Sequence, residues 1–438
     1  MKHIGDSQIV AFCCYSHFCT GNLFFTGSSF THQVITERAL LNVTIQVCRA
    51  VALSEGKDFS FPATPLTGHS VAAACEAPKS LKTFLNTIKT ILNTNRNTDI
   101  FFWNDARYHC DDERLTDGQK LITDGLSAIK AANSQQNFAS ATSTLGRVLH
   151  TLQDFYSHSN WVELGNNAPN SNMIRANANI GTIAEATRAT CRSCVGDDCT
   201  NNILEDILNE KILTSGYFSL TSSKKLSGKC SHGGFFDRTS RTEPTGGINK
   251  DSFTSEHGHL HRQAADVAIA ATNELLEDIR GAAGDKPFLQ MMGLFRGKAL
   301  CFAIDTTGSM SDDIEAVKTV TSSIIDRKVG TQDEPSVYIL VPFNDPGFGP
   351  LMKTTDPDVF KTYINSLTAI GGGDFEELSL SGLQLALTGS PPNSEIFVFT
   401  DATAKDAFLR NAVIALIEST KSTVSNSVAK QDFSSHCE

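Results

Sequence analysis

Three segments in the last third of the chain, ALCFAID at 299–305, SVYILVPF at 336–343 and EIFVFTDA at 395–402, are apolar without alternation. A strand carries such a run only where both of its faces are covered. Stretches of helical periodicity around 312–327, 357–367 and 376–388 separate the runs. Together they predict a doubly wound α/β domain over 296–420, with helices on both faces of a parallel sheet. Ligands of such sheets bind beyond the carboxyl ends of the strands. Asp305 and Asp401 end two of the runs and belong there.

Upstream the pattern changes. From about 30 to 290 apolar residues recur three and four apart, as in SLKTFLNTIKTILNT, GQKLITDGLSAIKAA and RQAADVAIAATNELLEDI, and strand-like runs are nearly absent. The expected organisation is multidomain: a mainly α-helical domain over 30–290 with a Cys-rich insertion at about 190–250, then the α/β domain. A leader over 1–29, read as a divergent signal segment, and a polar tail over 421–438 flank them. A length of 438 residues agrees, because one core stops growing well before that size.

A formal charge of −11, spread along the chain, offers no basic stripe for nucleic acid. No run of eighteen apolar residues predicts a transmembrane helix.

Asp305, Thr307 and Ser309 follow one another at spacings of two on the turn after the first run. A carboxylate and two hydroxyls are hard oxygen ligands, suited to Mg2+, Mn2+ or Ca2+. Asp401 is expected to join them from the neighbouring strand end. The alternative is an ordinary turn with helix-capping hydroxyls. The order D-x-T-x-S-M, then GGGD, then a terminal TD favours the metal.

FAIDTTGSMSDDI, GGGDFEELSLSGLQLAL and IFVFTDA together resemble the von Willebrand A domain and its metal-ion-dependent adhesion site. The resemblance implies Asp305, Thr307 and Ser309 on the first loop and Asp401 on the third. It also implies a coordination position left open for an acidic side chain of a protein partner. The family's second loop offers a threonine after paired glycines; here Asp374 stands at that place, adding negative charge. After Asp401 only one helix, KDAFLRNAVIALIEST, and the polar STVSNSVAKQDFSSHCE remain. The α/β domain is therefore expected to be C-terminally incomplete, a truncated form with the EIFVFT strand exposed as an apolar edge.

In the helical domain, LGRVLHTLQDFYSHSNW sets His150, Asp154 and His158 four residues apart, on one helical face opposite Leu145, Val148, Leu152 and Phe155. Two imidazoles and a carboxylate form an acceptable zinc set. A solvated polar face is the alternative. His32, His109 and His232 are further candidate ligands, because a multi-metal cluster draws its ligands from separate segments.

THQVIT, YHCDDERLTDG, LGRVLHTLQDFYSHSNWVELG and KCSHGGFFDRTS with GGINKD resemble the Het-C family, itself distantly similar to helical zinc-dependent phospholipases C and nucleases. That similarity implies zinc, with His150 and Asp154 matching an H-x-x-x-D pair. His158 departs from the enzymes' spacing, and no catalytic residue is assigned. A Het-C-like region followed by an A domain is the order of a two-domain family of animal proteins, matched over roughly 30–415.

Cys191, Cys194, Cys199 and Cys230 are either two disulfides or a zinc site; the extracellular context that the resemblance implies favours disulfides. Asn42 begins an N-V-T glycosylation triplet. The expected function is a secreted, metal-dependent, adhesion-type protein. The alternatives are zinc-dependent phosphoester hydrolysis in the helical domain and a structural protein with vestigial metal sites.

Overall fold

The computed structural model describes residues 29–54, 56–294, 298–329, 331, 334–372 and 376–428. The leader, up to residue 28, and Asp374 lie outside the described residues. The chain divides into two compact units, Met1–Leu294 and Phe295–Glu438.

The first unit is helical, with α1 (His32–Ser54), α2 (Gly68–Ala74), α3 (Leu81–Phe101), α4 (Ala106–His109), α5 (Leu115–Ser134), α6 (Phe138–His158), α7 (Glu205–Asn209), α8 (His261–Ala283) and α9 (Asp285–Met291). Helix α6 is its axis and packs against α3, α5 and α8. Asn137 starts it by accepting the Ser140 amide on its side chain. From Val148 to His158 every residue of α6 is buried. The solvated polar face is thus overturned: the His150–Asp154–His158 row is enclosed by neighbouring elements. Burial of Leu149, Leu152 and Phe155 stabilises this packing by roughly 1.5–3 kcal/mol each.

Between α6 and α8 the chain is mostly irregular and is tied down by disulfides Cys191–Cys230 and Cys194–Cys199. The zinc alternative for these cysteines is excluded by that pairing. A third disulfide, Cys48–Cys75, joins the last turns of α1 to the end of α2 and had no marker in the sequence pattern. Cys110 and Cys301 are free and buried.

The second unit carries a five-stranded sheet in the order β3-β2-β1-β5-β7, with β1 (Leu300–Asp305), β2 (Tyr338–Phe343), β3 (Met352–Thr354), β5 (Glu395–Thr400) and β7 (Thr423–Val428). Only β3 is antiparallel to its neighbour. A two-stranded parallel ladder pairs β4 (Glu376–Glu377) with β6 (Thr403–Ala404). Helices α10 (Ile314–Lys328), α11 (Pro357–Asn365), α12 (Ser379–Gly389) and α13 (Arg410–Thr420) complete the unit.

Alternate residues of β1 feed two cores. Cys301 and Ala303 join Ile339, Ile396, Leu383 and Leu387 on one face. Phe302 and Ile304 join Leu340, Phe360 and Phe399 on the other. The unbroken apolar runs are the consequence, since both faces exclude water.

The expectation of a bare β5 edge is wrong. Thr423–Val428 pairs with β5 in parallel register, Ile396 opposite Val424. An edge strand needs backbone hydrogen bonds and an occasional inward side chain, so T-V-S-N-S-V suffices; Val424 packs on the core.

Candidate metal centres

In the helical unit five histidines and four aspartates converge from separate segments. Helix α1 supplies His32, α3 supplies Asp99, and α4 with the residues after it supplies His109 and Asp111. Helix α6 supplies His150, Asp154 and His158, and the irregular segment supplies His232 and Asp251. All nine are buried. Three triplets have ligand atoms within 4.8 Å of one another: His32–Asp99–His150, His109–His150–Asp154 and Asp111–His158–His232. All six helical-domain residues singled out in the sequence come together here. Asp99, Asp111 and Asp251 were missed. Asp111 follows His109 in YHCDDERL and Asp251 closes GGINKD, so both had a local signal; Asp99 had none.

Each histidine has one ring nitrogen against an oxygen that can only accept. His32 Nδ1 donates to Gln153 Oε1 at 2.7 Å, and His150 Nδ1 to Asn95 Oδ1 at 3.2 Å. His109 Nε2 donates to the Phe102 carbonyl, His158 Nδ1 to the His109 carbonyl and His232 Nδ1 to the Gly233 carbonyl. Such outer contacts fix tautomer and ring orientation in metal-ligating histidines. The amides are held in turn, since Gln153 Nε2 donates to Thr36 Oγ1 and Asn95 Nδ2 donates to Gln153 Oε1.

The second nitrogen of each ring then faces carboxylates. His109 Nδ1 lies 3.0 Å from Asp154 Oδ2 and 3.2 Å from His150 Nε2, which is itself 3.0 Å from Asp154 Oδ2. Three lone-pair-bearing atoms at such separations repel one another unless a proton or a cation lies among them. His32 Nε2 is 3.1 Å from Asp154 Oδ1. Asp154 Oδ1 and Asp111 Oδ1 are buried with only a poorly aligned imidazole nitrogen beside them, His32 Nε2 for the first and His158 Nδ1, at 3.2 Å, for the second. Burial alone would lower the pKa of His150, but Asp154 and Asp99 outweigh it and push it up to about 10. Burial likewise opposes the charge on His158, and Asp154, Asp111 and Asp251 raise its pKa well above the usual value. Carboxylates that draw protons this strongly also draw divalent cations, and the N/O donor set fits zinc.

The approach of α3 to α6 makes the cluster possible. Gly146 sits at the crossing, where a β-carbon would come 2.0 Å from Thr94 Oγ1. On the outer side, Asp99, His109, Asp111, His158 and His232 line an opening with Trp103 and Phe218. Asn42 is exposed on α1, with Thr44 of its triplet buried.

In the α/β unit β1 and β5 are neighbours, so Asp305 and Asp401 end side by side. Asp305 Oδ1 accepts the Thr307 amide at 2.9 Å and the Thr307 hydroxyl at 2.7 Å. Thr307 Oγ1 and Ser309 Oγ are 3.1 Å apart, and Ser309 donates to Asp401 Oδ1 at 3.0 Å. Thr400, not singled out in the sequence, donates to Asp305 Oδ2 at 2.7 Å and orients that carboxylate. The second loop docks on the first through Gly308 N to Gly371 O, 2.9 Å, and Ile370 N to Thr306 O, 2.9 Å. A β-carbon at Gly308 would come 2.8 Å from the Gly371 oxygen, so glycine is required for this approach. Asp305, Thr307, Ser309 and Asp401 thus form one hydrogen-bonded oxygen cluster at the carboxyl end of the sheet.

Fold and site define a protein that joins a helical domain to a von Willebrand factor A domain. Residues 66–289 match the VWA7 N-terminal domain and 299–436 the von Willebrand factor A domain. The chain belongs to the von Willebrand factor A domain-containing protein 7 family. It is 40% identical over 405 residues to the Mus musculus member, covering 90% of this chain and 45% of that protein. The Homo sapiens member is also 40% identical over 405 residues, 91% of this chain and 45% of that protein. The chain therefore spans about half the length of these relatives, 45%. Hemicentin-1 of Homo sapiens is 41% identical over 126 residues, 28% of this chain and 2% of hemicentin-1. The A domain and these relatives point to an adhesion-type or protein-interaction role. No described helix is long and apolar enough to cross a membrane.

Proposed function

We propose that the protein is a secreted, metal-dependent binding protein whose A domain recognises a protein partner through a divalent cation, Mg2+, Mn2+ or Ca2+. Asp305, Thr307, Ser309 and Asp401 would hold the cation, with Asp374 as the second-loop carboxylate. The observation that carries this is the Asp305–Thr307–Ser309–Asp401 cluster, whose oxygens are gathered from two strand ends onto one spot. A bound cation supplies residual positive charge for an acidic group of the partner. The three disulfides and the hemicentin similarity support export, and in a secreted chain Asn42 would be an accessible glycosylation site.

The helical domain would hold zinc on the His32, His109, His150, His158 and His232 nitrogens, with Asp154 as the carboxylate that lies beside four of them. Element analysis of purified protein tests both centres: zinc lost on Asp154→Asn, and the hard cation lost on Asp305→Ala with zinc unchanged. Wild-type protein holding neither metal would remove the proposal.

A second reading, phosphoester hydrolysis at the helical centre, is favoured by the opening beside Asp111, His158 and His232. Bound zinc would lower the pKa of a water and stabilise charge on a phosphoryl oxygen. Turnover of bis(p-nitrophenyl) phosphate that disappears in His150→Ala would promote it; a rate equal to that of the variant would discard it.

A further inference from the structure

The triplets of the helical centre differ in what holds their backbones. His32, Asp99 and His150 stand on the long helices α1, α3 and α6. The side chains that orient the two rings, Gln153 and Asn95, are bonded to each other and to Thr36, on those same three helices. Asp111, His158 and His232 lack so regular a frame: the first follows α4, the second is the last residue of α6, and the third lies in the irregular insertion.

Two residues of the insertion, Gly216 and Tyr217, join all three. The Gly216 carbonyl accepts the Asp112 amide at 2.9 Å, the Gly216 amide donates to the His158 carbonyl at 3.1 Å, and the Tyr217 carbonyl accepts the His232 amide at 2.8 Å. A β-carbon at Gly216 would come 2.4 Å from His232 Cα. A β-carbon at Gly247 would come 2.3 Å from the His232 carbonyl oxygen. The His232 backbone is thus wedged between two glycines, and neither can carry a side chain without displacing it.

The turn that presents Asp111 is held by the same insertion. Cys110, Asp112 and Glu113 have φ of 54°, 53° and 60°, a region disfavoured for residues with a β-carbon, and three so close together persist only where the surroundings impose them. Glu113 is the fastening. Its amide donates to Ser215 Oγ at 2.8 Å, its carboxylate accepts the Thr214 hydroxyl at 2.8 Å, and both carboxylate oxygens lie 2.7 Å from Lys229 Nζ. Lys229 is fully buried and precedes Cys230 of the Cys191–Cys230 disulfide. A buried ion pair adds little net stability over an apolar pair, and its best-attested use is to fix register.

We propose that the Cys-rich insertion assembles a separate outer zinc site from Asp111, His158 and His232, with Gly216 and the Glu113–Lys229 pair as its positioning residues. The inner site on the long helices then keeps its zinc when the outer one is dismantled. This rests on the zinc reading of the helical centre and adds a division of labour within it.

The test loads the full chain with zinc, in excess Mg2+ to keep zinc off the A domain, and follows transfer to the chromophoric chelator 4-(2-pyridylazo)resorcinol. Wild type should release zinc in two phases, since Asp111, His158 and His232 line the opening. Gly216→Ala should lose one phase, about one zinc ion per chain, and match His232→Ala, with its helical circular dichroism unchanged. Glu113→Gln, which keeps the side-chain shape, should weaken the same zinc by about tenfold, as losing a support behind a ligand does. Should Gly216→Ala fail to fold, Glu113→Gln decides by the same criterion. Full zinc retention at wild-type affinity in the variants overturns the proposal, and so does loss of every zinc from a chain that keeps its helices. Single-phase release from wild type also overturns it and leaves the zinc reading standing. Wild-type protein that takes up no zinc sinks the zinc reading itself.

Discussion

Gly146 on α6 lies against Ile91 on α3 so closely that a β-carbon at 146 would come 2.4 Å from the Ile91 carbonyl oxygen. This contact sets the distance between the helix that carries His150 and Asp154 and the helix that carries Asn95 and Asp99. Gly146→Ala should push the helices apart, at a cost of about 1–3 kcal/mol, the range of overpacking in tight cores. Urea unfolding measures the loss. Zinc content should fall with it, because His150 Nε2 and Asp99 Oδ1 are now 3.3 Å apart. A variant of wild-type stability would show that the crossing relaxes without strain.

Disulfide Cys191–Cys230 ends two residues before His232 and closes a span of 39 residues. Cys191→Ser/Cys230→Ser should lower the stability of the helical domain by roughly 2–4 kcal/mol, mainly by freeing the unfolded chain. Non-reducing mass spectrometry of the wild type should find Cys191 linked to Cys230 and Cys194 to Cys199. Free thiols at these four positions would contradict the fold of the insertion.

Glu163 gives a pH dependence. Burial would raise its pKa, but Lys250 and His257 outweigh that and lower it from 4.5 to about 2. Lys250 Nζ lies 2.9 Å and His257 Nδ1 2.6 Å from Glu163 Oε1. A carboxyl whose pKa is lower in the folded state contributes stability above its unfolded pKa and loses it as pH falls through the folded one. The expected contribution, about 3 kcal/mol on the order-of-magnitude scale of such shifts, should be complete above pH 4.5 and disappear towards pH 2. Urea titrations of wild type and Glu163→Gln across that window should converge at the acid end. Parallel curves would assign the acid sensitivity elsewhere.

Strand β7 covers β5, whose outer edge would otherwise offer an unpaired backbone beside Ile396 and Val398. A chain ending after Lys421 should associate through that edge and scatter light at concentrations where the full chain does not. A monomeric truncation that melts cooperatively would show the strand to be dispensable.

Much of the A-domain oxygen cluster was legible in the sequence because its members are local. Asp305, Thr307 and Ser309 lie within five residues, and Asp401 ends a recognisable strand. The helical centre was legible only where α6 carries it, since spacing of four places His150, Asp154 and His158 on one face. Asp99 was not, because a lone aspartate in NTNRNTDIF differs from an exposed one only through the packing of α3 on α6. Strand β7 was missed for a related reason: T-V-S-N-S-V has no apolar run, and its pairing with β5 satisfies backbone groups that sequence patterns do not report.

By itself the sequence determined the helical domain followed by a two-faced sheet, since periodicity and unbroken apolar runs answer to local geometry and burial. It also determined which side chains end the strands at the A-domain cluster. Only the tertiary structure decided that the polar row of α6 faces inward and that three further aspartates meet five histidines. It alone decided the direction of each ring, because a tautomer depends on the oxygen opposite, and Gln153, Asn95 and three backbone carbonyls are placed there by contacts between distant segments.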